Sequence, residues 1–135
     1  MLNIQPYILL GGQCEAAIAF YQATLGAQVE LLMHFSDAPD ASMVNEENKD
    51  KVMHATVRIG DSTLLMSDGN CENPEPFKSF SLSLNAPSVA EGEAVFQKLA
   101  EGGSVTMPFS KTFWTEGFGM LVDRFGVPWM VNVVH

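Results

Sequence analysis

Thr112-Phe113-Trp114-Thr115-Glu116-Gly117-Phe118-Gly119-Met120-Leu121-Val122-Asp123-Arg124-Phe125-Gly126-Val127-Pro128-Trp129-Met130 reads as part of two strands, Phe113–Asp123 and Phe125–Val134, joined by a tight turn. Both tryptophans and three glycines fall inside it. Aromatics and glycines in that density predict a strongly curved sheet around a cleft.

Working back from this stretch, the same order of elements occurs twice. Phe80, Leu82 and Leu84 alternate with Ser79, Ser81 and Ser83, a strand with one polar face. Pro87-Ser88 opens a helix carrying Val89, Val95, Phe96 and Leu99, and Gly102-Gly103 ends it. A strand over 105–109 precedes the quoted segment. The first half runs in parallel. Ile4–Leu10 is a short strand, and Cys14–Leu25 a helix stopped by Gly26. Val29, Leu31, Met33 and Phe35 alternate with polar or outward positions, and Val52–Ile59 and Thr63–Ser67 form a hairpin over Gly60-Asp61. Phe20 with Phe96, and Val29 with Val105, lie a constant 76 positions apart. Two tandem β-α-β-β-β modules, about 1–70 and 76–135, make an α+β fold.

Composition limits what such a fold can do. The 135 residues are 47% hydrophobic and 17% charged, with eight methionines, which suits an apolar cavity or an adaptable interface. A net charge of −9 argues against nucleic acid and anionic membranes, both of which need clustered Lys and Arg. No apolar run reaches the roughly 20 residues of a membrane span, and Met1–Pro6 has no signal-peptide character. Cys14 and Cys71 lack C-x-x-C spacing, so two reduced thiols in a cytoplasmic protein is the simpler reading, with a disulfide left open. Cys71 sits among acidic residues, which oppose thiolate formation. Residues 36–50 are polar and read as a solvated loop or as a lid tipped by Met43 and Val44.

The Ala17-Ile18-Ala19-Phe20-Tyr21 helix, the His54–Ile59 strand, Met66-Ser67-Asp68, and the Phe113-Trp114 and Asp123-Arg124-Phe125-Gly126-Val127-Pro128-Trp129-Met130 segments resemble the PhnB-like branch of the vicinal-oxygen-chelate superfamily. The glyoxalases, bleomycin- and fosfomycin-resistance proteins and extradiol dioxygenases share this fold. The resemblance covers essentially the whole chain. It implies that each module curls its sheet into half of a U, that two modules close around a cleft, and that the protein is a homodimer. In metal-using members it implies four His, Gln or Glu ligands, one each from the first and fourth strands of each module. Carried over, those positions fall on Pro6, Met66, Ser79 and Met130. Two thioethers, a hydroxyl and a proline do not suit Zn, Ni, Mn or Mg, so no metal and no cofactor is expected.

Under that register Ile8, Leu64, Met66, Ser79, Ser81, Met130 and Asn132 point into the cleft, while Phe80, Leu82, Leu84, Trp129 and Val131 turn toward the helices. Met66, Ser79, Ser81, Met130 and Asn132, with Phe113 and Trp114 as a stacking wall, are the candidate ligand contacts. The more usual reading of Phe113 and Trp114 is core or dimer interface. Three groups are candidates for chemistry: His54 and Asp68, as a general-base couple on adjacent strands, and Glu116 at the cleft mouth. The plainer alternatives are a buried, hydrogen-bonded structural role for His54 and a solvated Glu116, and His34 reads as surface. No Gly-rich phosphate loop or Ser-His-Asp arrangement occurs, and Gly117-Phe118-Gly119 opens no helix, so methyl transfer from a nucleotide-like donor has no binding loop. The leading expectation is metal-free binding of a small organic molecule. The alternatives are a lyase-, isomerase- or dioxygenase-type enzyme with unusual metal ligands or a His54 base, and a dimeric interaction protein without ligand.

Overall fold

A computed structural model describes residues 2–40, 42, 44–69 and 75–134. The chain divides into two compact units, Met1–Pro74 and Glu75–His135. In the first, β1 (Tyr7–Leu9), α1 (Cys14–Leu25), β2 (Gln28–His34), a 3-10 turn at Phe35–Asp37, β3 (Val52–Ile59) and β4 (Ser62–Ser67) follow one another. In the second the order is β5 (Leu82–Ala86), α2 (Val89–Ala100), β6 (Ser104–Ser110), β7 (Phe118–Val122) and β8 (Pro128–Val133). The sheets have matching orders, β1-β4-β3-β2 and β5-β8-β7-β6. Each has one parallel pair, β1 with β4 and β5 with β8, the other pairs being antiparallel. The tandem α+β repeat is therefore present as two mixed four-stranded sheets, each with one helix.

Local chemistry sets the ends of these elements. Gly26 takes φ +67° and its N–H returns to the Tyr21 carbonyl, closing α1 in the left-handed conformation that a side chain resists. Ser88 caps α2, its hydroxyl accepting the Glu91 N–H at 3.2 Å. α2 lies close on its sheet: a Cβ on Gly119 would stand 2.6 Å from the Phe96 ring, so only glycine fits there.

Both strands of the quoted segment are shorter than expected. Residues 113–117 leave the sheet because Thr115 organises a turn: its hydroxyl donates to the Val133 carbonyl at 2.6 Å, and its N–H donates to Thr112 Oγ1. Residues 123–127 turn around Asp123, whose Oδ1 accepts the N–H groups of Phe125 and Val127 while Oδ2 accepts Trp129 Nε1–H. β1 is likewise confined to Tyr7–Leu9, within the expected Ile4–Leu10.

The polar segment after the 3-10 turn is built from local turns. Asn45 Oδ1 accepts from Glu47 and Asn48, Asn48 Oδ1 accepts from Asn45, and Lys49 pairs with Glu46 at 3.1 Å. Backbone bonds from Phe35 to Lys51 and from Ser36 to Lys49 close its base. Val44 is half-buried; Met43 lies outside the described residues, as does Cys71.

Candidate functional site

Each sheet has a core face and an open face, and strand register decides which residues go where. In the first unit Ile8 pairs with Met66 and Met66 with Ala55, while Leu64 pairs with Val57. All five are buried, with Met66 wholly so, as are Cys14, Ala17, Ile18 and Tyr21 of α1, which packs on β3. The expected inward placement of Ile8, Leu64 and Met66 is thus corrected. They form the helix-side core, because alternation along β4 gives the open face to Leu65. There Tyr7, Leu65, Thr56 and Leu31 form one cross-strand row.

In the second unit Leu82, Leu84 and Ala86 pair with Trp129, Val131 and Val133 on the core face. Ser83 pairs with Met130, and Asn85 with Asn132, on the open face. Two rows cross that face. One is Asn85, Asn132, Phe118 and Ser110; the other is Ser83, Met130, Met120 and Met107. Trp114, 54% exposed on the segment before β7, packs edge-on to Phe118 at 5.3 Å between ring centroids. Phe113 stands 97% exposed and edge-on to Trp114 at 4.8 Å, which removes it from the core.

Other residues fall differently from the sequence reading. Ser79 lies ahead of β5 with φ +66°, off the strand face it was assigned to, and Ser81 lies just before the strand. Phe80, expected against the helices, is exposed and meets the Phe77 edge at 6.2 Å. Both shifts follow from β5 beginning only at Leu82.

The open face of the second unit holds an unpaired group. Asn132 Oδ1 is buried and has no hydrogen-bond partner. A buried acceptor left unmade costs about 1–3 kcal/mol. Its neighbours across the strands are Phe118 and Asn85.

The expected His54–Asp68 couple does not form. Asp68 is buried, with Oδ1 accepting the N–H groups of Gly12 and Cys14, and Oδ2 that of Val52, all at 2.8 Å. It caps the start of α1, where backbone N–H groups and helix dipole favour an anion, and ties α1 to β3. His54 instead lies on the open face of the first sheet, its Nδ1 3.1 Å from Tyr7 Oη and its Nε2 3.3 Å from Thr56 Oγ1. Glu116 is exposed on the segment before β7.

Two further groups are structural. Burial, then the Asp68 and Glu15 carboxylates, push the Cys14 thiol up to about 12, which keeps it protonated and unreactive at neutral pH. His34 Nε2 lies 2.6 Å from Glu15 Oε1, and that hydrogen bond raises its pKa above the ordinary value.

A hard divalent metal does not fit the positions the resemblance assigns to it. β1, β4, β5 and β8 contain no His, Gln, Asp, Glu or Cys. Their open faces offer a phenol, hydroxyls, two amides and a thioether. No group of three or more potential His, Cys, Asp or Glu ligands occurs among the described residues.

Sequence reasoning missed Tyr7, Thr56, Phe118 and Met120. Tyr7 is a lone aromatic in a three-residue strand, too short for alternation to reveal its side. The other three become legible only once β3 and β7 are set in register.

Residues 3–131 match the Glyoxalase/Bleomycin resistance protein/Dioxygenase superfamily. Protein YjdN of Escherichia coli is 38% identical, over 98% of this chain and 96% of its own length. Protein PA1353 from Pseudomonas aeruginosa, a crystal structure, is 45% identical, with a TM-score of 0.89 and 98% of each chain covered. A PhnB protein from Bacillus cereus has a TM-score of 0.83 at 22% identity, covering 98% of this chain and 100% of its own.

Proposed function

Since this chain belongs to the glyoxalase/bleomycin resistance/dioxygenase superfamily, we propose that it binds a small organic molecule, without a hard divalent metal, on the open face of its second sheet. The observation that carries this is the buried, unpaired Asn132 Oδ1 beside Phe118. A ligand N–H or O–H donor would satisfy it and recover the roughly 1–3 kcal/mol it costs. Met107, Met120 and Met130 supply apolar contacts that adapt to shape, and Ser83 and Asn85 add polar ones. Trp114, half-exposed and edge-on to Phe118, offers an aromatic surface beside that row. An apolar surface with few convergent polar groups is what small-molecule sites generally present.

Among the described residues no helix is long and apolar enough to cross a membrane. We read the protein as a homodimer on the family resemblance, and as cytoplasmic; the charge of −9 disfavours nucleic acid and anionic membranes.

The test is ligand-observed NMR with neutral heteroaromatic fragments, beside calorimetric titration of Ni, Zn, Mn and Co. Fragments that bind at least about tenfold more weakly to Asn132→Leu and Met130→Trp, with no heat from the metals, are expected. Equal binding by wild type and both folded variants, or no binding at all, refutes the site. A tight stoichiometric metal refutes its metal-free character.

A further inference from the structure

The first sheet carries a second constellation that the ligand reading does not use. On an open face otherwise lined by Leu9, Leu31, Met33 and Leu65, three polar side chains are linked in series. Tyr7 Oη lies 3.1 Å from His54 Nδ1, and His54 Nε2 lies 3.3 Å from Thr56 Oγ1. The Tyr7 and His54 rings are tilted at 40° with centroids 5.7 Å apart. Tyr7 is 49% exposed, whereas His54 and Thr56 are half-buried behind it.

A neutral imidazole satisfies this chain in either of two tautomers, and in one of them Tyr7 O–H donates to Nδ1 while Nε2–H donates to Thr56 Oγ1. Tyr7 Oη then has its proton engaged and its lone pairs free, so toward solvent it acts as an acceptor. A ligand that docks on this tautomer brings a donor. If that donor is an acidic hydroxyl, the chain can take its proton.

We propose that Tyr7, His54 and Thr56 form a proton-accepting site for a small molecule with a weakly acidic hydroxyl, an enol or a phenol. The ligand O–H bond breaks and its proton passes to Tyr7 Oη as the tyrosine's own proton moves to His54 Nδ1. His54 becomes an imidazolium, its Nε2–H still held by Thr56 Oγ1. The ligand is left as an oxyanion accepting a hydrogen bond from the re-formed Tyr7 O–H. No electron acceptor or metal takes part. Tyr7 touches the ligand, His54 stores the proton, and Thr56 positions the ring. The site stands apart from the reading given for the second sheet and does not depend on it.

The net charge of −9 gives the test a built-in sign. General association with so acidic a protein favours the neutral form of a phenol, since an anion is repelled. Proton transfer to His54 favours the phenolate. The probe is 4-nitrophenol at the pH where it is half ionised free in solution, with the phenolate band followed as protein is added. Wild type is expected to raise the phenolate-to-phenol ratio of bound probe about tenfold, equivalent to one unit in probe pKa. Tyr7→Phe and His54→Gln are expected to abolish the rise, and Thr56→Val to reduce it. In parallel, the His54 ring carbons followed by NMR should move to imidazolium positions on probe addition in wild type and stay neutral in Tyr7→Phe. An unchanged or falling phenolate fraction with wild type overturns the proposal, as does a rise that Tyr7→Phe retains or a His54 ring that stays neutral.

Discussion

Replacing Asn132 by leucine should make the protein more stable. The two side chains have nearly the same shape, and the substitution removes a buried oxygen that has no partner. An unsatisfied buried acceptor costs about 1–3 kcal/mol, whereas an apolar group of like shape costs nothing comparable. The new methyls would lie beside Phe118 on the strand pairing of β7 and β8, so the gain is expected across that whole range. Unfolding entropy near the midpoint is about 2.1 cal/mol/K per residue, or roughly 0.28 kcal/mol/K for this chain. The expected rise in Tm is therefore about 4–10 °C, read by differential scanning calorimetry with circular dichroism to confirm an unchanged fold. Ser83→Ala, on the same face and exposed, serves as control and should move stability by less than about 0.5 kcal/mol. A leucine variant that is well folded yet no more stable than wild type would mean that the oxygen is already satisfied, and the argument for a ligand donor there would fail. Gained stability with lost fragment binding is the pattern of a site kept at a cost in stability.

Asp68→Asn should destabilise the first unit by about 3 kcal/mol or more, seen as a lower urea midpoint at unchanged slope, because an amide cannot accept all three backbone N–H bonds that the carboxylate holds. His34 has a folded pKa raised by its bond to Glu15, so its stabilisation is complete below the unfolded value of about 6.5 and fades as pH rises through the folded value. The Tm difference between wild type and His34→Gln should accordingly be larger at pH 5.5 than at pH 8.5 (about those values), and a difference independent of pH would refute the coupling. Dialysis against a chelator should leave the Tm unchanged, since the four strands assigned to metal binding hold no carboxylate, imidazole or thiol; a fall restored by Zn or Ni would refute that reading.

The repeated order of elements was legible because glycine stops and period-two alternation recur at a fixed offset, and β2 and β6, at Gln28–His34 and Ser104–Ser110, keep that offset. Strand ends were not legible. What shortens the quoted strands is Thr115 bonding to Val133 and Asp123 collecting three donors, and neither partner can be read from local sequence. Facing was readable in the second unit, where Leu82 and Leu84 alternate with serines. It failed in the first, where both Leu65 and Met66 are apolar and the pairing of Tyr7 and Ile8 decides which is buried. His54 and Asp68 looked like a couple because both fall on or beside one hairpin. Their separation follows from Asp68 capping a helix that starts more than fifty residues earlier.

The two tryptophans stand in opposite surroundings. Trp129 is 4% exposed with its indole N–H bound to Asp123, whereas Trp114 is half in solvent on a segment outside the sheet. The protein thus carries two intrinsic optical channels. Acrylamide reaches Trp114 first, and the emission that survives quenching belongs to Trp129 and reports the integrity of the fold. Light lost on ligand addition without change in that residue would mark occupancy of the second sheet's open face, free of any added dye.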